Sequence, residues 1–153
     1  MMDTFEHVEA VLNFAIEREQ EAVDFYVGLA ARTENLSLKK TLTAFAGVEQ
    51  GHKEKLLAAK DAELATGELG GDVQDMKIAD YLVDVEPGPD MSFQDALVVA
   101  MKREKAAMDL YTDLAGRVTD SGLKALFVKL AREEGAHKHS FETAYEDHYM
   151  SDN

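Results

Sequence analysis

Apolar residues recur along this chain in alternating steps of three and four, a pattern that predicts four long helices. The first is expected over about 4–32, with a seam of Phe5, Val8, Leu12, Ala15, Glu19, Ala22 and Tyr26. Asp3 stands at its N-cap position with Glu6 three residues on. The second is expected over about 36–65, with a seam of Leu38, Leu42, Phe45, Glu49, His52, Leu56 and Ala59. Gly67, Gly70 and Gly71 then stop it. The third starts near Ser92, an N-cap with Asp95 three residues on, and its seam is Phe93, Leu97, Ala100, Glu104, Ala107, Tyr111, Leu114 and Val118. The fourth starts near Gly122 and runs through Leu123, Phe127, Leu130, Glu134, His137, Phe141 and Tyr145. No strand-like alternation competes with these seams, and a short helix is expected within 76–83 of the link.

Shifted by 85 residues, the chain lies on itself without a gap: 16 of 43 positions are identical between 12–54 and 97–139. Two or three residues join the first helix to the second and the third to the fourth, so each pair should be an antiparallel hairpin. The 26 residues of 66–91 are enough to run the length of a bundle. The expected fold is all-α, an antiparallel four-helix bundle of two duplicated hairpins with one long crossover. It forms a single domain over 1–153, with one repeat at about 5–65 and the other at about 92–148.

Four glutamates sit on the seams where an apolar side chain is expected: Glu19, Glu49, Glu104 and Glu134. Left unpaired in a core they would cost many kcal/mol or take up protons. A pair of divalent ions removes that difficulty. Glu49–Gln50–Gly51–His52 and Glu134–Gly135–Ala136–His137 each set a carboxylate and an imidazole one helical turn apart on one face. One Glu from each of two helices, with Glu-x-x-His from each of the other two, is the ligand recipe of dinuclear carboxylate bundles. A lone Glu-x-x-His is ordinarily an exposed pair, but here two copies fall at repeat-equivalent seam positions. The competing reading is an inherited relic that holds no metal.

Other residues of interest divide by position. His7, His139 and His148 lack a Glu at that spacing, and Glu17, Glu21 and Glu133 lie off the seams, so all six read as surface. Met101 and Met108 read as core filler. Tyr26 and Tyr111 each follow a seam Glu by seven residues, which returns them to within about 20° of its face. Either they hydrogen-bond a ligand carboxylate, or they are core tyrosines whose hydroxyls reach solvent or backbone. Gly47, Gly51 and Gly135 weaken their helices, and would make room beside the ligands for oxygen or peroxide, or allow close helix packing.

Composition narrows the setting. Hydrophobic residues make up 46% and charged residues 30%, as in a soluble globular chain. A net charge of −14 argues against a nucleic-acid surface, although two divalent ions would offset four of those charges. No apolar run approaches the roughly 18 residues of a membrane span, and the start lacks a secretory pattern, so the cytoplasm is the default location. The absence of cysteine excludes disulfides, thiolate zinc sites and iron–sulfur clusters.

Over residues 5–148 these features resemble the ferritin-like superfamily and, within it, the rubrerythrin-like group. The likeness rests on Glu19 with Asp24–Phe25–Tyr26, on Glu49-x-x-His52, on Glu104 with Asp109–Leu110–Tyr111, and on Glu134-x-x-His137. It implies a non-haem di-iron centre, for which manganese is an alternative by ligand type, reacting with hydrogen peroxide or dioxygen. By the same analogy Glu49 and Glu134 would bridge the metals, Glu19 and Glu104 would be terminal, and His52 and His137 would take one metal each. Two departures stand out. A typical rubrerythrin carries a four-cysteine rubredoxin domain; this chain has no cysteine, so its electron donor is expected to be a separate molecule. Such proteins also carry an extra Glu one turn after the third-helix ligand, where this chain has Ala107.

The leading expectation is therefore an oxidoreductase that reduces peroxide or dioxygen. Its competitors are a ferroxidase or iron-handling protein, which needs a cage, and a non-catalytic module that metal stabilises. No substrate-pocket signature favours hydroxylation of an organic molecule. A homo-oligomer, with the dimer as default, is expected.

Overall fold

The computed structural model of the chain describes residues 4–66, 71–83, 85 and 90–147. Four long helices appear among them: α1 (Val8–Arg32), α2 (Leu36–Thr66), α3 (Phe93–Arg117) and α4 (Ser121–Tyr145). Their starts follow local hydrogen-bonding chemistry. Ser92 Oγ accepts from Asp95 N at 3.0 Å, Asp120 Oδ2 from Leu123 N at 2.8 Å, and Asn35 Oδ1 from Leu38 N at 3.0 Å.

At α1 the start differs from the sequence expectation. The helix begins at Val8, and its cap is His7, whose Nδ1 accepts from Ala10 N at 3.3 Å. The cause is tertiary: Thr4 forms an isolated antiparallel bridge with Lys77 of the crossover, which holds that stretch extended while Phe5 stays buried. Asp3, Gly67 and Gly70 lie outside the described residues. Within 76–83 the regular structure is a single 3-10 turn, Ile78–Tyr81.

Two apolar clusters fix the arrangement of the helices. One gathers Val8 and Leu12 from the start of α1, Leu56 from late in α2, Leu114 from the end of α3, and Leu123 and Phe127 from the start of α4. The other gathers Tyr26 and Leu29, Leu42, Leu97 and Phe141 from the opposite ends of the same helices. Thus α1 runs antiparallel to α2 and to α3, and α4 antiparallel to α3 and to α2. Between the clusters lies a layer of buried polar side chains: Glu19, Glu49, His52, Glu104, Glu134 and His137.

The crossover travels from the first cluster, where Val73, Met76 and Tyr81 are buried, to the second, where Met91 packs. Repeat-equivalent arginines tie down its two ends. Arg117, closing α3, pairs with Asp75 and donates to the Asp72 carbonyl at 3.2 Å; Arg32, closing α1, donates to the Met91 carbonyl. Gly71 is required by close approach, since a Cβ there would come within 3.2 Å of the Arg117 carbonyl oxygen and Val118 Cα. Among the described residues no helix is long and apolar enough to cross a membrane.

The clusters should carry most of the stability. Phe127 is fully buried in the first, so Phe127→Ala is expected to lower unfolding free energy by about 3–5 kcal/mol, as read by urea denaturation. A loss below about 1 kcal/mol would mean that this end of the bundle is loosely packed.

Candidate metal centre

Each helix delivers its polar group from a seam position, so packing the apolar clusters also brings these groups together. Glu19, Glu49, His52 and Glu134 form one cluster and Glu49, Glu104, Glu134 and His137 a second; in each, the potential ligand atoms all lie within 4.8 Å of one another. Glu49 and Glu134 belong to both. His52 Nδ1 lies 3.1 Å from Glu134 Oε1, 3.3 Å from Glu19 Oε2 and 3.5 Å from Glu49 Oε1. His137 Nδ1 lies 3.3 Å from Glu49 Oε1 and 3.6 Å from Glu104 Oε2.

Most of these atoms lack a hydrogen-bonding partner. Both Glu49 oxygens, Glu104 Oε2, Glu134 Oε1 and both Nδ1 atoms are buried without one. Buried polar atoms are ordinarily satisfied, so a convergent set of orphans indicates an absent partner. Six such atoms, all oxygen or imidazole nitrogen, fit a pair of divalent cations in chemistry and placement.

Electrostatics supports the same fit. Burial lifts the Glu49 and Glu134 carboxyls well above the usual range, and neighbouring carboxylates push them further. Burial opposes the charged form of His52, but Glu19, Glu49 and Glu133 outweigh it and raise the imidazole to about 9. Glu104 and Glu49 do the same for His137, also to about 9. Without a metal, protons supply the positive charge that the layer demands.

The tyrosines cross between the repeats. Tyr111 Oη donates to Glu19 Oε2 at 2.6 Å, and Tyr26 Oη donates to Glu104 Oε1. Each phenol thus holds the glutamate of the other hairpin. Burial, followed by the surrounding carboxylates, raises both phenols well above their ordinary value, so they remain donors.

Two sequence expectations need correction. Glu133 is not a free surface residue: its Oε1 lies 3.0 Å from His52 Nε2. It sits one residue before Glu134 and reaches across to α2, a contact that seam counting within one helix misses. Its repeat equivalent is Val48, so His137 has no matching carboxylate; Phe45 stacks on that ring instead, with centroids 4.1 Å apart. Gly47 and Gly51 do not serve close helix packing, since a Cβ at either would meet nothing within 4 Å; at Gly135 it would meet Met108 Sδ at 3.1 Å, a close α3–α4 approach. A pocket is also present. A cavity of about 120 Å³ opens between α1 and α3, with Ala22, Ala107 and Leu110 among its walls and Glu19, Glu49, Glu104 and Glu134 at the polar layer. Its lining comes from all four helices and the crossover, and it left no local signature.

Comparison with known proteins agrees with this geometry. Residues 95–153 match the rubrerythrin family model. No curated protein matches the chain. The fold is similar to that of a Thermotoga maritima protein assigned as ferritin-like and diiron-carboxylate, with a TM-score of 0.77 and 23% identity over 95% of this chain and 98% of that one. It is also similar to a hypothetical protein from Pyrococcus furiosus, with a TM-score of 0.71 and 24% identity over 90% of this chain and 87% of that one. The second hairpin thus resembles the rubrerythrin family in sequence, and nearly the whole chain shares its fold with both solved proteins.

Proposed function

We propose that this chain is a dinuclear non-haem iron oxidoreductase that reduces hydrogen peroxide or dioxygen with electrons from a separate donor. The observation that carries the reading is the pair of four-residue clusters sharing Glu49 and Glu134. In this reading Glu49 and Glu134, common to both clusters, would be shared by two ions, with Glu19 and His52 helping to hold one and Glu104 and His137 the other. Reduction of peroxide to two waters takes two electrons and two protons; an iron pair held here would supply the two electrons, one from each iron(II), and a separate donor would have to replace them.

The chain's own residues prepare the site. Glu133 accepts from Nε2–H of His52, which leaves the Nδ1 lone pair directed inward. Tyr26 and Tyr111 restrain the terminal carboxylates without adding negative charge. The apolar clusters keep water from both ends of the layer, and the α1–α3 cavity gives the oxidant a way in.

Anaerobic loading with iron(II) should give two irons per chain, lost in Glu49→Ala and Glu134→Ala. Peroxide should then oxidise the pair, and a reductant should restore it for repeated turnover. A single oxidation that cannot be reversed would reduce the function to metal binding.

Loading should also release protons, because ligation needs neutral imidazoles and ionised carboxyls. With His52 and His137 at about 9 and Glu49 and Glu134 raised, metal affinity should climb steadily from pH 6 to 9, as followed by pH-stat titration. The stability of the metal-free chain should move the opposite way. Raised imidazoles stabilise it fully below their ordinary 6.5, and that contribution disappears as pH passes 9. The raised carboxyls act in the same direction from about 4.5 upward. A metal-free melting temperature that rose with pH over this window would contradict the assignment.

Glu133→Ala should weaken metal retention by about 10–100-fold in a chelator competition. Val48→Ala, at the repeat-equivalent position, should leave it unchanged.

A further inference from the structure

The α1–α3 cavity is larger than peroxide or dioxygen needs. Its volume of about 120 Å³ approaches the roughly 150 Å³ at which an apolar protein cavity accepts benzene. Ala22 and Ala107, equivalent under the repeat, keep its walls back from the polar layer, and Leu110 and Val83 add apolar surface.

Two arginines, Arg18 and Arg103, also line it and are again repeat-equivalent, yet their circumstances differ. Arg18 is engaged by Glu17 at 3.4 Å and Glu21 at 3.2 Å, and Glu21 lines the cavity as well. Arg103 has no carboxylate partner among the described residues. Its guanidinium carbon instead rests 5.0 Å from the centroid of the Phe25 ring, a contact that steadies the group while leaving its donors free. An unpaired, partly buried guanidinium beside the apolar stretch of wall formed by Ala22, Val83, Ala107 and Leu110 is chemistry suited to a carboxylate with a hydrocarbon tail, since the planar fork matches a carboxylate in a bidentate manner.

We propose that this cavity binds a short-chain aliphatic monocarboxylate, with its carboxylate on Arg103 and its chain against Ala22, Ala107 and Leu110, beside the metal centre. The proposal rests on the di-metal reading, because the polar layer that ends the cavity presents carboxyl oxygens to an incoming anion, and two divalent ions would cancel the negative charge that protons leave there. A single free guanidinium and apolar walls favour a monocarboxylate over inorganic phosphate, which needs more donors.

Calorimetric titration of butyrate into iron(II)-loaded chain under anaerobic conditions, with metal content measured on the same sample, tests this. Saturable one-to-one binding is expected. It should be at least about tenfold weaker in metal-free protein and in Arg103→Met, the scale of losing a charged hydrogen-bonding partner. Ala107→Leu, which fills the cavity, should abolish binding while iron content and circular dichroism stay unchanged. Loaded protein that ignores butyrate, butyrate binding indifferent to both substitutions, or phosphate binding as tight as butyrate would each overturn the proposal and leave the metal reading intact. A chain that takes up no iron would overturn the metal reading, and this proposal with it.

Discussion

Burying four carboxylates and two imidazoles in one layer is the constraint to which the rest of this structure answers. Each charge moved from water to a protein interior carries a penalty of several kcal/mol unless it is compensated there. The fold compensates in three ways: tyrosines donate across the repeats, carboxyls and imidazoles shift toward their protonated forms, and the orphaned atoms converge on common points. Only the last is complete when two cations arrive. The apolar clusters on either side supply the stability that tolerates such a layer, and they also exclude the water that would relax it.

Duplication explains why the layer is nearly symmetric, and later divergence explains where it is not. Glu19 and Glu104, Glu49 and Glu134, His52 and His137, and Tyr26 and Tyr111 are all related by the 85-residue shift. The surroundings of the two histidines are not. His52 is oriented by a carboxylate, His137 by an aromatic face. A carboxylate behind a ligating imidazole raises its basicity, whereas stacking fixes only its plane. Two ions held here would therefore experience unequal donors despite matching ligand sets.

The helices and the inward glutamates were legible in the sequence because periodicity and ligand spacing are properties of single helices. A seam containing Leu42, Phe45, Glu49, His52 and Leu56 already states which face is buried and what chemistry lies on it. Capping was legible where the signal was local, as at Ser92, and obscured where the crossover intervened, as at Thr4 and Lys77. Contacts between helices were the blind spot. Glu133 lies off its own seam yet meets His52 on α2, and the partner of each tyrosine belongs to the other hairpin. Heptad position can say that a side chain faces inward; it cannot name the residue on the opposite helix that it will meet.

The cavity shows how a small residue can matter as much as a ligand. Ala22 and Ala107 stand one turn beyond Glu19 and Glu104, close enough that any longer side chain at either position would enter the space above the polar layer. A carboxylate at 107 would crowd one more carboxyl against the layer's four. Alanine adds none and leaves room. The same crossover that ties the two hairpins together helps to wall this space, with Tyr81 anchored by donating to Asp113 Oδ2 at 2.5 Å. Ligand charge, chamber size and chamber wall are therefore set by three separate parts of the chain. The space above the layer is walled in part by residues that do not themselves belong to it.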